Sequence, residues 1–321
     1  MNTILRSLRH VSMFALLAGA CLAADQQLNV LFIGNSFTGR HSLSQVVKTL
    51  AEAGQPGLNF KVTTVIYGGR TLKDHWRLGT QNFVKLASLT TAEEQATIQL
   101  LRDANAKDAK DQYAAGALKR HEELARTLRQ ERRKWDVVVL QSYRDDLAEG
   151  PTSYYEYAPK FVALARAQGA RAVLYETTPT TQNEKPLTTA PDLAPVLAKE
   201  RAIAALARQT GAVVVPMAMV AWHCQTVRPD LPLRFVNDGH LNQTMAYLTA
   251  CTFYGVLFDR SPAGLALDQV TDIRYLDNQH RDEDRDGGPL TRIFSARDRA
   301  DLQRIAWEGL QKFRTLTGEP R

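Results

Sequence analysis

Two segments of this chain combine residue types that together could attack a carbonyl group. Ser36 directly follows an apolar run and could supply a nucleophilic hydroxyl. Such a hydroxyl needs an imidazole to take its proton, and the imidazole needs a carboxylate that fixes its tautomer. His240 lies two residues after Asp238 and three after Asn237, so both groups are present within four residues. We favour Asp238 as the orienting carboxylate and keep Asn237 as the alternative at that position.

Two further segments carry groups that could bind the negative oxygen formed by such an attack. Gly69 belongs to a Gly-Gly pair, and glycine lets the backbone turn and approach a ligand closely. Gln141 follows another apolar run and carries an amide N–H donor. If the segment is aligned in a different register, Asp145 takes the place of Gln141. A carboxylate there would be a poor hydrogen-bond donor. The backbone N–H of Ser36 could stabilise a developing oxyanion, the Gln141 amide could point an N–H into the same cleft, and Gly69 could let the backbone approach the ligand.

These segments follow apolar or β-branched runs that predict buried strands. The five predicted strands are Leu28–Ile33, Phe60–Ile66, Val137–Leu140, Ala172–Tyr175 and Ala212–Val215. Helical patterns alternate with them, which indicates an α/β fold with a parallel sheet covered by helices on both faces. Ligands bind beyond the carboxyl ends of such strands, so we expect the candidate side chains to share one cleft.

The order of the four segments resembles the SGNH, or GDSL-like, hydrolase superfamily over Leu28 to about Leu265. The resemblance implies a flavodoxin-like three-layer α/β/α fold with a five-stranded parallel sheet. It also implies an esterase that cleaves an acyl or acetyl ester and requires no metal or organic cofactor. The roles it implies are a nucleophile at Ser36, a base at His240 with Asp238, and oxyanion donors at Gly69 and Gln141.

Three positions depart from the superfamily's pattern, and the departures at Gln141 and Asn237 leave a non-catalytic function open. Asn35 stands where many members have Asp, and Gln141 stands in the block that usually reads Gly-x-Asn-Asp. Asn237 occupies the position, three residues before the histidine, where the superfamily's Asp commonly lies. The alternatives are a non-catalytic protein of this fold that binds a glycan or another protein, and an acyltransferase that uses the same residues.

Residues 1–23 predict an exported protein. Two arginines precede an apolar run of about a dozen residues, and the small Ala23 suits cleavage by signal peptidase. The run is shorter than the roughly 20 residues that a membrane-spanning helix needs. Cys21 follows a sequence loosely like a lipoprotein box, so a lipid anchor there stays open. We expect a periplasmic or extracellular location.

Composition limits the class of partner. The chain has 321 residues, of which 44% are hydrophobic and 23% charged, as in globular proteins. Its 40 Lys and Arg against 34 Asp and Glu give a net charge of +6, which becomes +4 without Arg6 and Arg9. That excess is too small to indicate a nucleic-acid partner. The small-molecule or glycan ester that we expect as substrate is implied by the resemblance. Cys224 and Cys251 would remain after export and could pair in an oxidising compartment.

The segment 72–134 has no strand pattern and is rich in helix-forming residues, which predicts a helical insertion between the second and third strands. We expect the charged run 119–134 to be a solvated helix face, because acidic residues are interspersed with the basic ones. The predicted organisation is a hydrolase-like domain over 24–265 and a C-terminal extension over 266–321 with a terminal helix.

Overall fold

The structure is a computed structural model that describes residues 26–144, 147 and 153–318. The predicted signal peptide, the lipid-anchor candidate Cys21 and the alternative donor Asp145 lie outside the described residues. Within the described ranges, no helix combines the length and the apolar character needed to cross a bilayer.

Five strands form one parallel sheet, which confirms the predicted fold class. They are β1 (Gln26–Gly34), β2 (Leu58–Ile66), β3 (Val137–Gln141), β4 (Arg171–Tyr175) and β5 (Val213–Val215). Their order across the sheet is β2-β1-β3-β4-β5, and every neighbouring pair is parallel. The chain leaves β1 toward β2 on one side and returns to β3 on the other. This change of direction opens a crevice at the carboxyl ends of β1 and β3.

Helices cover both faces of the sheet. They are α1 (Ser36–Gly39), α2 (Leu43–Gly54), α3 (Leu72–Arg77), α4 (Gln81–Val84), α5 (Thr91–Lys107), α6 (Gln112–Glu131), α7 (Ser153–Ala167), α8 (Ala194–Thr210), α9 (Met217–Val227), α10 (Gln243–Phe258) and α11 (Ala296–Thr317). Two short strands, β6 (Gln269–Thr271) and β7 (Thr291–Ile293), pair antiparallel outside the main sheet. Short 3-10 turns lie at Arg40–Ser42 and Pro179–Thr181.

Successive residues of β1 point to opposite faces of the sheet and so join two separate cores. Val30 and Phe32 are buried in one core with residues of α2, α9 and α10. Leu31 and Ile33 are buried in the other with residues of α6, α7 and α8. The molecule therefore has three layers, with the sheet between two sets of helices.

Residues 72–131, between β2 and β3, form the helices α3 to α6. His75 of α3 is buried; its Nε2 donates to the carbonyl of Gly34 at 2.9 Å, and its Nδ1 accepts from the Thr80 hydroxyl at 3.0 Å. Arg120 of α6 donates to the carbonyl of Thr64 in the edge strand β2 at 3.3 Å. The helical segment is thus fastened both to the end of β1 and to the edge of the sheet.

Cys224 and Cys251 are separate free thiols, so the pairing that the sequence left open is absent. They lie in α9 and α10 and are both buried in the core. Burial raises the pKa of the Cys224 thiol to about 12, and it also raises the pKa of Cys251. Both side chains act as small apolar groups of the core.

Candidate active site

Ser36 lies at the end of β1, at the first position of α1. The side chain of Asn35 caps this short helix, because its Oδ1 accepts the N–H of Phe37 at 3.1 Å. Ser36 is thereby held on a sharp turn between strand and helix. Its Oγ lies 2.7 Å from Nε2 of His240, which is hydrogen-bond distance across 204 positions of sequence. The predicted nucleophile and base are brought into direct contact.

His240 lies on a tight hairpin formed by residues 234–241, which we call the His240 hairpin. Arg234 and Leu241 form an antiparallel bridge at its base, and the N–H of Phe235 donates to the carbonyl of His240 at 3.1 Å. The ring of Phe37 packs against the imidazole, with ring centroids 5.2 Å apart. The backbone and this aromatic contact together fix where the imidazole lies.

The C-terminal segment holds the other side of the His240 hairpin. The carboxylate of Asp286 accepts the N–H of Val236 at 2.8 Å and the N–H of Asn237 at 2.9 Å. Asp286 belongs to the acidic loop after β6, where Asp284 in turn accepts the N–H of Asp286 at 3.0 Å. This loop therefore serves as a support for the hairpin.

Asp238 is the side chain that orients the imidazole. Its Oδ1 accepts a hydrogen bond from Nδ1 of His240, whereas Asn237 is exposed and its side chain makes no hydrogen bond within the described residues. Burial by itself would raise the pKa of Asp238, but the hydrogen bonds from His240 and Arg40 hold it well below its usual range. An ionised carboxylate here keeps the proton on Nδ1 and leaves Nε2 able to accept one from Ser36.

Behind Asp238 lies a buried arginine that the sequence did not single out. Arg40 donates from Nη1 to Oδ2 of Asp238 at 2.7 Å. Its Nε donates to Oδ1 of Asp272 at 3.0 Å, and its Nη2 donates to Oδ2 of the same carboxylate. Arg40 and Asp272 are each only 2% exposed. A two-pronged pair of this kind fixes the guanidinium in one orientation.

Gln141 occupies a different role from the predicted one. Its Oε1 accepts the N–H of Asn35 at 2.9 Å and the N–H and hydroxyl of Thr38 at 3.1 and 2.6 Å. Its Nε2 donates to Oδ1 of Asn35 at 2.7 Å and to the carbonyl of Ser142 at 2.8 Å. The side chain is buried and both amide hydrogens are used. The predicted oxyanion role of Gln141 is therefore wrong in this arrangement, and the residue supports the turn that carries Ser36.

Gly69 lies where the sequence predicted, on the loop after β2 that borders the same cavity as Ser36. Its φ of +66° is in the left-handed region that favours glycine. The hydroxyl of Tyr113 in α6 donates to the carbonyl of the neighbouring Gly68 at 2.8 Å. The helical segment therefore helps to hold the Gly68–Gly69 turn.

A cavity of about 800 Å³ opens above Ser36 and His240. Its other lining residues are Asn35, Phe37, Gly68, Gly69, Tyr113, Tyr143, Arg144, Pro179, Thr180, Arg234, Asp238, Gly239 and Arg274. Such a volume exceeds that of an acetyl group and accommodates a substrate of the size of a drug or a short glycan.

The residues that sequence reasoning missed share one property, which is distance along the chain. Arg40 and Asp272 are 232 positions apart, and Tyr113 is 45 positions from Gly68. Neither pair belongs to a short motif, and an arginine or tyrosine near a helix is common. The one available signal was the position of Arg40, about one helical turn after Ser36 on the same short segment.

The candidate residues follow the strands in a defined order. Ser36 comes after β1, Gly69 comes after β2, and Gln141 ends β3. Asp238 and His240 come directly before α10, on the same rim of the five-stranded parallel sheet. This order matches the one that the resemblance to the SGNH superfamily implies.

No protein-family model matches the chain, and no curated protein matches it. Among solved structures it is similar to an SGNH hydrolase candidate from Slackia heliotrinireducens, with 19% identity, a TM-score of 0.41, and coverage of 72% of this chain and 100% of that one. It is also similar to TesA, with 14% identity, a TM-score of 0.36, and coverage of 72% and 96%.

A third similar structure is a gut microbial diltiazem-metabolizing enzyme, with 12% identity and a TM-score of 0.35. That likeness covers 73% of this chain and 47% of the enzyme.

Proposed function

We propose that this protein is a serine ester hydrolase in which Ser36, His240 and Asp238 act together. The observation that carries the proposal is the unbroken series of contacts from the Ser36 hydroxyl through both ring nitrogens of His240 to Asp238. A histidine with a merely structural role would not be expected to place Nε2 against a serine hydroxyl that borders an open cavity, as His240 does. A protein that only binds its ligand would not require these Ser36–His240–Asp238 contacts either.

The chemistry follows from the positions of the protons. Nε2 of His240 takes the Ser36 proton while Oγ attacks the ester carbonyl, and the imidazolium is stabilised by the ionised Asp238. His240 then returns the proton to the leaving alkoxide, which departs as the alcohol. Water, activated by the same imidazole, hydrolyses the acyl-serine and regenerates the free hydroxyl.

Backbone donors support the negative oxygen that forms during the attack. Within the described residues, the N–H groups of Ser36 and Gly69 engage in no hydrogen bond, and both residues border the cavity. We assign these two N–H groups as oxyanion donors. Each is worth roughly 10²–10³ in rate when it is aimed at the developing charge.

The substrate class of this proposal is an acyl or acetyl ester, including an acetylated glycan. Because residues 1–23 have the pattern of a signal peptide, we propose that the protein is exported, either free or as a lipoprotein, and acts in the periplasm or outside the cell. A test that needs no knowledge of the natural substrate is hydrolysis of 4-nitrophenyl acetate by the mature chain. We expect turnover that Ser36→Ala lowers at least about 10³-fold.

The matched control is Ser42→Ala, which removes an exposed serine hydroxyl on the same segment and should leave the rate within twofold. Equal rates for wild type and Ser36→Ala would contradict the proposal. Product analysis with an added sugar acceptor separates hydrolysis from acyl transfer, because transfer would yield an acylated sugar in place of free acid.

A further inference from the structure

The cavity above Ser36 is lined by arginines that none of the steps of ester hydrolysis requires. Arg234 is held from two sides: its Nε donates to the carbonyl of Gln182 at 3.1 Å and its Nη2 donates to Glu184 at 2.7 Å. Its Nη1 has no hydrogen-bond partner within the described residues. A guanidinium anchored in this way presents its remaining N–H groups in a fixed direction.

Arg274 borders the same cavity from the C-terminal segment. Its backbone N–H donates to Oδ1 of Asp272 at 3.2 Å, so the carboxylate that grips Arg40 also positions this residue. Its guanidinium is exposed and forms no ion pair with any described residue. Arg144 lines the cavity as well, but it precedes Asp145, which lies outside the described residues, so the case rests on Arg234 and Arg274.

No carboxylate of the described lining is available to neutralise these arginines. Asp238 is the one acidic residue among the lining residues, and both its oxygens are engaged by His240 and Arg40. Glu184 pairs with Arg234, whereas Arg274 forms an ion pair with none of the described residues. A cavity with an unpaired cation on its wall attracts and orients an anion.

We propose that the ester accepted by this site carries a carboxylate that Arg274 and Arg234 bind while Ser36 attacks the ester carbonyl. A carboxylate is planar, as a guanidinium is, and carries a charge opposite to that of the unpaired Arg274. The inference rests on the proposed ester hydrolysis and adds the class of substrate. It assigns Arg274 and Arg234 as specificity-determining residues.

The test uses two pairs of esters that differ in one carboxylate. On the alcohol side, acetate release from 3-acetoxybenzoate is compared with its release from methyl 3-acetoxybenzoate. On the acyl side, mono(4-nitrophenyl) adipate is compared with 4-nitrophenyl hexanoate. We expect kcat/KM for the anionic member of at least one pair to be about tenfold higher at low salt, with the preference shrinking as salt screens the charges.

The variants Arg274→Gln and Arg234→Gln should lower the ratio of anionic to neutral kcat/KM about fivefold to tenfold. The matched control is Arg297→Gln, which removes an arginine that is 81% exposed and does not line the cavity, and it should leave the ratio unchanged. Hydrolysis of the neutral esters without preference for either anionic one would overturn this inference and leave the ester-hydrolase proposal intact. No Ser36-dependent turnover of any of the four esters would overturn both.

Discussion

Arg40 and Asp238 meet in a 2.7 Å hydrogen bond on the side of the carboxylate that His240 does not use. Arg40 itself is buried, and Asp272 accepts two further hydrogen bonds from the same guanidinium. The orienting carboxylate is therefore held between a ring and a buried cation, and the C-terminal segment is part of this support. Asp272 is a positioning residue, since it acts on His240 only through Arg40 and Asp238.

Replacing Asp272 by Asn should lower kcat about tenfold while changing KM less than twofold, because the site keeps its cavity and loses the grip on Arg40. Asp238 then keeps its hydrogen bond to His240 with a less firmly held Arg40 behind it, so the loss falls on kcat. A purely structural role would instead lower the free energy of unfolding without separating kcat from KM. Asp277→Asn, which removes an exposed carboxylate of the same segment, is the control and should change neither quantity.

Asp238 and Asn237 are adjacent, and the structure assigns them different contacts. We expect Asp238→Asn to lower kcat about 10²–10⁴-fold, because the amide favours the wrong tautomer of His240. Asn237→Ala should stay within twofold of wild type, since its side chain makes no hydrogen bond to a described residue and its backbone N–H donates to Asp286. Steady-state kinetics on 4-nitrophenyl acetate measures both variants. A large loss in Asn237→Ala beside an active Asp238→Asn would reverse the assignment.

Substituting Gln141 distinguishes a supporting role for this side chain from a catalytic one. Gln141→Leu removes the acceptor for three donors on Asn35 and Thr38 and leaves them buried. The free energy of unfolding should fall by about 2–4 kcal/mol, measured by urea denaturation. An oxyanion donor would behave differently, with a kcat loss of roughly 10²–10³ and unchanged stability. Finding that second pattern would restore the donor role.

His75 makes the stability of the protein depend on pH. Burial lowers the pKa of His75 to about 4, from an ordinary value of 6.5. The unfolded chain therefore takes up this proton at higher pH than the folded one, so stability is complete above about pH 6.5 and is lost progressively toward pH 4. Between pH 7.5 and pH 5 the loss due to His75 should be about 2 kcal/mol.

Urea unfolding at the two pH values measures this loss, and His75→Gln should shrink it by about 2 kcal/mol. An NMR titration of the wild type gives a second reading that does not depend on how well the variant folds. The His75 ring should stay neutral at pH 5, where its Nε2 still donates to Gly34. A ring that is protonated at pH 6 in the folded protein would contradict the assignment.

The sheet and the rim that carries the site could be predicted from sequence because their signals are local. Each strand is a short apolar run, and Ser36, Gly69 and His240 each lie on a segment whose neighbours imply a turn. The parallel arrangement then brings the ends of distant strands together without further information. This explains why residues some 200 positions apart could be placed in one cleft.

The interactions that depend on direction or on long-range partners could not be predicted. Gln141 carries both a donor and an acceptor, and its position in the chain does not reveal that both point beneath the Ser36 turn. The ion pair between Asp272 and Arg40 joins two segments that share no sequence pattern. Whether Cys224 and Cys251 pair depends on the distance between them, which the sequence does not give. The choice between Asn237 and Asp238 turned on which side chain faces the ring.

The most direct test of the account is covalent labelling of Ser36. The intact mature protein is treated with a fluorophosphonate, and the modified peptide is identified by mass spectrometry. We expect a single adduct on Ser36, fast in the wild type and slowed at least about 10²-fold in His240→Gln, because the attack needs the imidazole to accept the proton. An unlabelled Ser36 in folded protein, or labelling equally fast in His240→Gln, would contradict the proposed Ser36–His240 mechanism.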